Sequence, residues 1–202
     1  LAGRADGQAQ GLDEGRQAAL AERACLTQLA EGLSSELTRV NELIAQDLLT
    51  LALDIARQAA VKHSIPTVIF SLEMSTQQLV DRLLAAESKV NAWNLRTGNL
   101  TAESEFSKIR DSLDTLAKAP IFIDDMAGNS IVRMRSVCRR IRAEHGIGLI
   151  IVDYLQLMSA SKNYDNMVNQ VTEISRSLKA LAKEFDVPVI ALSQLSRAVE
   201  SR

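Results

Sequence analysis

Three polar side chains follow short apolar runs of this sequence, and their types suit phosphate chemistry. Glu73, Asp153 and Gln194 each stand at the end of such a run. In open parallel sheets, reactive groups gather at the carboxyl ends of strands. There a glutamate can orient and deprotonate a water that attacks a phosphate, and an aspartate can hold a nucleotide-bound Mg²⁺. A glutamine can contact a γ-phosphate. For Glu73 on its own, a carboxylate that stabilises a helix start is the simpler explanation.

The apolar runs themselves predict buried strands. They cover residues 67–71, 121–124, 149–153 and 189–193, and they are rich in β-branched and aromatic side chains. Continuous apolar runs of this length are typical of strands buried on both faces of a parallel sheet. Pro66, Pro120 and Pro188 stand just ahead of three of the runs. A proline there ends the preceding helix without removing a hydrogen bond from the sheet.

Helical spacing of apolar residues fills the intervals between the runs. It predicts helices over residues 76–89, 101–118, 131–144 and 166–184, with Ser75 as an N-cap. Strands that alternate with helices favour an α/β fold with a mainly parallel sheet.

Residues 1–60 have another character, without proline or strand-like runs. Their composition predicts a helical arm over residues 1–50, of coiled-coil-like type, ahead of an α/β domain over residues 51–202. Glycines recur every fourth residue at Gly3, Gly7, Gly11 and Gly15. They could line a stripe where another helix approaches, or mark a poorly ordered tail, because each interior glycine costs about 1 kcal/mol relative to alanine.

Basic residues cluster in the predicted helix 131–144, at Arg133, Arg135, Arg139, Arg140 and Arg142. Most lie opposite its apolar face, so a solvated helix face is the simpler interpretation and a contact with a phosphate backbone is the alternative. The polar segment 159–166, with Lys162 and Tyr164, is either a surface loop or a mobile substrate loop.

Composition excludes several other classes of protein. The 202 residues carry a formal charge of −2, so a strong global attraction to nucleic acid is not expected. Two cysteines and two histidines offer neither a disulfide framework nor a zinc site. There is no apolar stretch of membrane-spanning length and no signal-peptide pattern. A protein of the cytoplasm without membrane contact is the expectation.

Six blocks taken together resemble the DnaB-type replicative DNA helicases in order and spacing, over about three quarters of the chain. They are Phe-Ser-Leu-Glu-Met-Ser at 70–75, Leu-Arg-Thr-Gly at 95–98, Ile-Asp-Asp at 123–125, Ile-Val-Asp-Tyr-Leu-Gln-Leu-Met at 151–158, Glu-Ile-Ser-Arg-Ser-Leu-Lys-Ala-Leu-Ala at 173–182 and Val-Ile-Ala-Leu-Ser-Gln-Leu-Ser-Arg at 189–197.

The resemblance implies a RecA-like ATPase core that forms hexameric rings and travels along single-stranded DNA with ATP and Mg²⁺. Other replication proteins are further implied partners. Glu73 matches the catalytic glutamate, Asp153 the Walker B aspartate that serves Mg²⁺, and Gln194 the glutamine that senses the γ-phosphate.

Two departures from the family pattern bear on activity. The phosphate-binding loop, which ends Gly-Lys-Thr, should precede residue 51, but Ala-Gln-Asp-Leu-Leu-Thr occupies residues 45–50 and Leu48 stands where the lysine belongs. The later strands, DNA-binding loops and arginine finger of the family would lie beyond Arg202. The sequence therefore predicts part of an ATP-dependent helicase motor that is inactive as written.

The N-terminal residues 1–58 have a weaker resemblance of their own. The glycine ladder and the blocks at 12–18 and 48–58 are similar to the stalk protein of the flagellar export ATPase, of the FliH type. The alternative function is therefore a non-enzymatic stalk or adaptor that binds an export ATPase through its helical arm.

Overall fold

The structure is a computed structural model that describes residues 2–100, 103–126, 128–159 and 167–193. The chain divides into two compact units, Leu1–Ile44 and Ala45–Arg202. Helix α1 spans Ala2–His63. Every side chain between residues 11 and 44 is exposed or half-buried. The glycine ladder is helical, and within the described residues no atom lies within 4 Å of a Cβ built on Gly7, Gly11 or Gly15.

The second unit contains a four-stranded sheet in the order β2-β1-β3-β4. Its strands are β1 Thr67–Ser71, β2 Ile121–Asp124, β3 Leu149–Asp153 and β4 Val189–Ala191, and all neighbours are parallel. Each predicted apolar run forms a strand. The prolines extend the ladder through their carbonyl groups: Pro120 accepts from the amide of Thr67, and Pro188 accepts from that of Ile150.

Helices cover both faces of the sheet, which confirms the predicted α/β architecture. They are α2 Thr76–Ser88, α3 Ala92–Thr97, α4 Glu103–Lys118, α5 Ile131–Glu144 and α6 Met167–Phe185, with a 3₁₀ turn at Leu155–Leu157. Alternate side chains of each strand point to opposite faces. Phe70 and Val152 face Met134 and Leu178, whereas Ile69 faces Leu53.

One glycine lies in close contact with a neighbouring segment where β3 begins. A Cβ on Gly148 would collide with Cγ2 of Ile65, in the connection between α1 and β1. The amide of Gly148 donates to the carbonyl of Pro66 at 2.8 Å, so the two segments meet backbone to backbone. A side chain at this position would therefore force the Ile65 side chain to move.

Among the described helices, none combines the length and the apolar character that crossing a lipid bilayer requires.

Candidate functional site

Asp153 ends the buried strand β3 and lies opposite Ser71, the last residue of β1. The residue is only 2% exposed, and its Oδ2 atom has no hydrogen-bond partner within the described part of the chain. Burial raises the pKa of Asp153 to about 6; the negative charge of Glu73 adds to this rise and Arg82 opposes it. A buried carboxylate oxygen without a partner is costly unless a cation or donor satisfies it.

Glu73 lies next to this carboxylate, on the connection between β1 and α2. Its side chain is exposed, and its carboxylate lies near the phenol of Tyr154. Burial and this contact with Glu73 raise the pKa of Tyr154 to about 12. The structure thus brings together Glu73 and Asp153 at the carboxyl edge of the sheet.

Hydrogen bonds to β3, to β1 and to the residue that follows β2 hold the connection that carries Glu73. Its Leu72 amide donates to the carbonyl of Asp153 at 2.7 Å. On β1, the Ser71 hydroxyl donates to the Met74 carbonyl at 2.8 Å and accepts from its amide at 3.1 Å. Just after β2, the carboxylate of Asp125 accepts from the Thr76 amide at 2.7 Å. These contacts restrict where the Glu73 carboxylate can stand.

Asp125 and Tyr154 were missed by sequence reasoning as contributors to this site. The Thr76 amide, the first free donor of α2, lowers the pKa of Asp125. Ser75 completes the cap: its side chain accepts from Gln78, and the Gln78 side chain accepts from the Ser75 amide. The sequence signal for Ser75 was local, whereas Asp125 lies 49 residues from Thr76 and gave no such signal.

Gln194 lies outside the described residues. The chain before it reaches the same edge of the sheet: Leu192 accepts from the amide of Leu155, and Ser193 accepts from the side chain of Gln156 at 3.0 Å. Lys162 and Tyr164 of the polar segment also lie outside the described residues.

The carboxylates at this edge suit a cation that is bound together with a nucleotide, whose phosphates supply further ligands. Within the described ranges, no group of three or more histidine, cysteine, aspartate or glutamate side chains could hold a metal ion. Mg²⁺ bound with a nucleotide uses one or two carboxylates plus phosphate oxygens and waters. The orphaned Oδ2 of Asp153 fits this role.

Residues 45–50 form part of helix α1. The amides of residues 50–53 are therefore used inside the helix and do not point at a ligand. Leu49 is buried against the sheet, next to Ala52 and Leu53. The final part of α1 nevertheless reaches the right edge, because Thr50 lines a cavity of about 600 Å³ together with Met74 and Gln78.

The arginine cluster of α5 has partners within the chain. Arg139 and Arg135 form ion pairs with Glu184 of α6 at 2.6 and 2.8 Å, and Arg142 donates to the Glu184 carbonyl at 3.3 Å. The hydrogen bond from Arg139 is the main reason why the pKa of Glu184 is lowered. Arg133 pairs with Asp124. Four of the five arginines therefore have partners within the described part of the chain, and such exposed ion pairs contribute little to stability.

We expect Asp153→Asn to stabilise the protein at neutral pH. The raised folded-state pKa means that the folded protein binds a proton more tightly than the unfolded chain does. Stability is therefore lost as pH rises from about 4 to about 6, and the full cost remains at pH 7. Removing the charge should recover up to about 3 kcal/mol. Urea unfolding of both proteins at pH 4 and pH 7.5 measures the difference.

Asp125→Asn is the matched control, because the pKa of Asp125 is shifted the other way. The ionised carboxylate of Asp125 stabilises the folded protein at pH values above its unfolded-state pKa. Asp125→Asn should therefore be less stable than the parent protein at pH 7.5. A gain from Asp153→Asn that is the same at pH 4 and pH 7.5 would contradict the assignment of the cost to the carboxylate charge.

A parallel α/β domain with two carboxylates at its carboxyl edge has the layout of a nucleotide-handling domain. A sequence model of the DnaB-like helicase C-terminal domain matches residues 29–202. The chain belongs to this family. The match begins within the segment predicted as a helical arm, and it favours the motor-domain interpretation over the stalk-protein one.

Curated relatives and solved structures agree with this assignment. The replicative DNA helicase DnaB of Geobacillus stearothermophilus is 52% identical over 152 residues, which are 75% of this chain and 33% of that protein. The replicative DNA helicase DnaC of Bacillus subtilis is 50% identical over 152 residues, again 75% of this chain and 33% of the relative. The chain thus spans about a third of the length of these relatives.

Two solved structures are similar to the chain. One is a DnaB-like replicative helicase studied with its primase interactions, and the other is an ATPase domain. Both are 34% identical with a TM-score of 0.69 over 76% of this chain, and the match covers 37% and 55% of their respective chains. The RecA-like fold implied by the sequence resemblance is therefore confirmed.

Proposed function

We propose that the second unit is part of a replicative helicase motor, in which ATP hydrolysis drives translocation along single-stranded DNA and unwinding of the duplex. Such a motor would act in the cytoplasm as a hexameric ring with ATP and Mg²⁺. One solved relative is described with its primase interactions, and primase or another replication protein is accordingly a proposed partner. The observation that carries the proposal is the Glu73–Asp153 pair with its unpartnered buried oxygen.

Each residue has a proposed part in the reaction. Asp153, with its unpartnered Oδ2, would hold the cation, and Mg²⁺ bound with the nucleotide would supply positive charge to the phosphates. Glu73 orients the attacking water and accepts its proton, and the phenol of Tyr154 holds the Glu73 carboxylate in place. Gln194 contacts the γ-phosphate. Asp125 and Ser71 fix the connection that carries Glu73.

Cation binding and ATP hydrolysis by this chain have different requirements. The cation site needs only Asp153 and its surroundings, whereas hydrolysis needs a loop that holds the triphosphate. Residues 45–50 are helical and contain no glycine or lysine. We therefore propose a chain that retains the acidic half of the site and does not hydrolyse ATP.

Binding of Mn²⁺, used as a paramagnetic substitute for Mg²⁺, tests the acidic half directly. In ¹⁵N NMR spectra, titration with Mn²⁺ at pH 7.5 should broaden the amides of Ser71, Leu72 and Asp153 before others. Asp153→Asn should abolish this localised broadening, because it removes the negative charge and leaves only a weak amide ligand.

Asp124→Asn is the matched control for this titration. Asp124 also ends a strand at the same edge, but its oxygens already accept from Met126, Asn129 and Arg133. This variant should leave the broadening near Asp153 intact. Broadening centred on another acidic group, or unchanged in Asp153→Asn, would refute the cation site.

A further inference from the structure

A cavity of about 600 Å³ lies between the end of α1, α2 and α3, within the second unit. Pockets that bind small molecules usually enclose about 300–1,000 Å³. Leu53 of α1 and Leu83 of α2 are buried and form apolar parts of its wall. Ala85, Ala86 and Ala92 also line it, and their short side chains leave space for a ligand. The cavity therefore has the size and the apolar lining of a small-molecule site.

Trp93, the only tryptophan of the chain, lines the same cavity. The residue is 61% exposed, although an indole ring gains much from burial. Helix α3 holds it in place, because the side chain of Asn91 caps the helix by accepting from the Trp93 amide at 2.8 Å. The guanidinium carbon of Arg96 lies 4.9 Å from the centroid of the ring. An indole placed in this way offers a stacking surface to a planar ligand.

Two arginines of the cavity lack an acidic partner within ion-pair distance. Among the described residues, neither Arg82 of α2 nor Arg96 of α3 forms an ion pair. The two aspartates of the cavity, in contrast, already accept hydrogen bonds. Asp54 accepts from Arg57 at 2.9 Å, and Asp81 accepts at 2.8 Å from the side-chain amide of the residue four positions before it. Arg82 is half-buried, where an unpaired guanidinium is costly. The arginine donors of the cavity therefore favour an anionic group in the ligand.

We infer that this cavity binds a small aromatic carboxylate, whose ring stacks on Trp93 and whose carboxylate pairs with Arg82. A guanidinium matches a planar carboxylate through two parallel hydrogen bonds. Stacking on the indole and contact with the apolar wall would hold the ring. Neither Glu73 nor Asp153 lines the cavity, so binding there does not depend on the proposed nucleotide chemistry.

A nucleotide fits the charges of the cavity less well. The charged side chains that line it, among the described residues, are Asp54, Asp81, Arg82 and Arg96, so their formal charges sum to zero. A carboxylate brings one negative charge, whereas a phosphate monoester brings roughly −1.5 to −2 at neutral pH. Repulsion by the two aspartates grows with that charge. A ligand with a single negative charge is therefore the better match.

Titration of the ¹⁵N-labelled full chain with 2-naphthoate at pH 7.5 tests the site. The single tryptophan gives one indole N–H resonance, which reports directly on the cavity. We expect this resonance and the amides of Arg82 and Arg96 to shift and to saturate, with a dissociation constant on the order of 0.1–1 mM. The uncharged ligand of the same shape, 2-naphthamide, should bind at least about fivefold more weakly.

Arg82→Gln removes the proposed partner of the carboxylate. It should weaken 2-naphthoate binding roughly tenfold and leave 2-naphthamide binding within about twofold. Trp93→Ala should weaken both ligands by about three- to tenfold, as followed through the Arg82 amide. Arg110→Gln is the matched control, because Arg110 is an exposed arginine of α4 that does not line the cavity. This variant should bind both ligands as the parent chain does.

Each outcome supports or overturns the site. Saturable binding of 2-naphthoate that depends on Arg82 and Trp93 supports it. An indole resonance without a saturable shift up to about 5 mM ligand overturns it, and so does equal weakening by Arg82→Gln and Arg110→Gln. Both ligands are compared on the unaltered chain as well, where 2-naphthamide that binds as tightly as 2-naphthoate overturns the inference even if a variant fails to fold. Adenosine monophosphate that binds more tightly than 2-naphthoate also overturns it, because the cavity would then serve a nucleotide.

Discussion

Incubated with ATP, Mg²⁺ and single-stranded DNA, this chain is expected to release phosphate more slowly than about 0.01 s⁻¹, at least a hundredfold below the roughly 1–100 s⁻¹ of kinases. The reason lies at residues 45–50, which continue helix α1. Their amides are bonded within the helix, and Leu48 supplies no charge for a phosphate. In their proposed roles Glu73 would hold a water and Asp153 a cation, but in-line attack requires the triphosphate to be fixed as well.

A coupled phosphate-release assay with purified protein measures this rate. Glu73→Gln is the control, because it removes the proposed base and leaves the fold intact. The parent chain and this variant should give the same background. Turnover of a few per second that Glu73→Gln abolishes would show that the chain holds the triphosphate by other means.

Replacing residues 42–49 with a Gly-xxxx-Gly-Lys-Thr loop is expected to create Mg-ATP binding where the parent chain has none. The end of α1 is well placed for this change. It packs on the sheet through Ala52, Leu53 and Ala56, so residues 50–63 keep their position when the preceding turns are replaced. Helix α1 ends just before β1 begins, so its last turns run antiparallel to that strand.

This direction brings the new helix start to the carboxyl edge. From Thr50 to His63 the helix rises roughly 20 Å, against about 16 Å for the five residues of β1. The side chain of Thr50 already shares a cavity with Met74, beside Glu73. A helix interrupted before residue 50 would present free amides and the positive end of its dipole at this edge, a favoured place for phosphate.

Isothermal calorimetry on the grafted protein measures the result. Grafts that also carry Asp153→Asn should bind Mg-ATP at least about tenfold more weakly, since the carboxylate no longer serves the cation. Grafts with Gln194→Ala should lose affinity for ATP and keep it for ADP. Equal binding with and without Asp153 would contradict the metal assignment. A folded graft that binds ATP no better than the parent would contradict the choice of residues 42–49.

Local patterns in the sequence predicted the strands and most helices. The runs 67–71, 121–124 and 149–153 coincide with β1, β2 and β3, and the predicted helix 131–144 coincides with α5. Continuous apolar runs after prolines are sufficient for this, because burial on both faces leaves few alternatives. Helix α3, Ala92–Thr97, was missed since its six residues carry too little periodicity.

Contacts between distant segments could not be predicted in this way. Strand order, the bond from Asp125 to Thr76 and the orphaned oxygen of Asp153 all depend on which segments meet in space. Glu73 and Asp153 could be proposed as neighbours only because parallel strands end at a common edge. The partners of the α5 arginines could likewise not be predicted from the sequence, because Glu184 and Arg139 stand 45 positions apart along the chain.

The order of the strands also governs how this sheet can form during synthesis. Thr67 of β1 pairs with Ile121 of β2 on one side and with Leu149 of β3 on the other. Strand β3 is synthesised after β2, so β1 gains its second neighbour late. At a translation rate of about 5–20 residues per second, β3 follows β1 by roughly 4–16 s. Both edges of β1 are unpaired until β2 emerges, and one edge stays unpaired until β3 emerges; such an edge is the kind of surface that pairs with other chains. The nascent chain is therefore most prone to aggregate, and most dependent on chaperones, while α4 and α5 are being made.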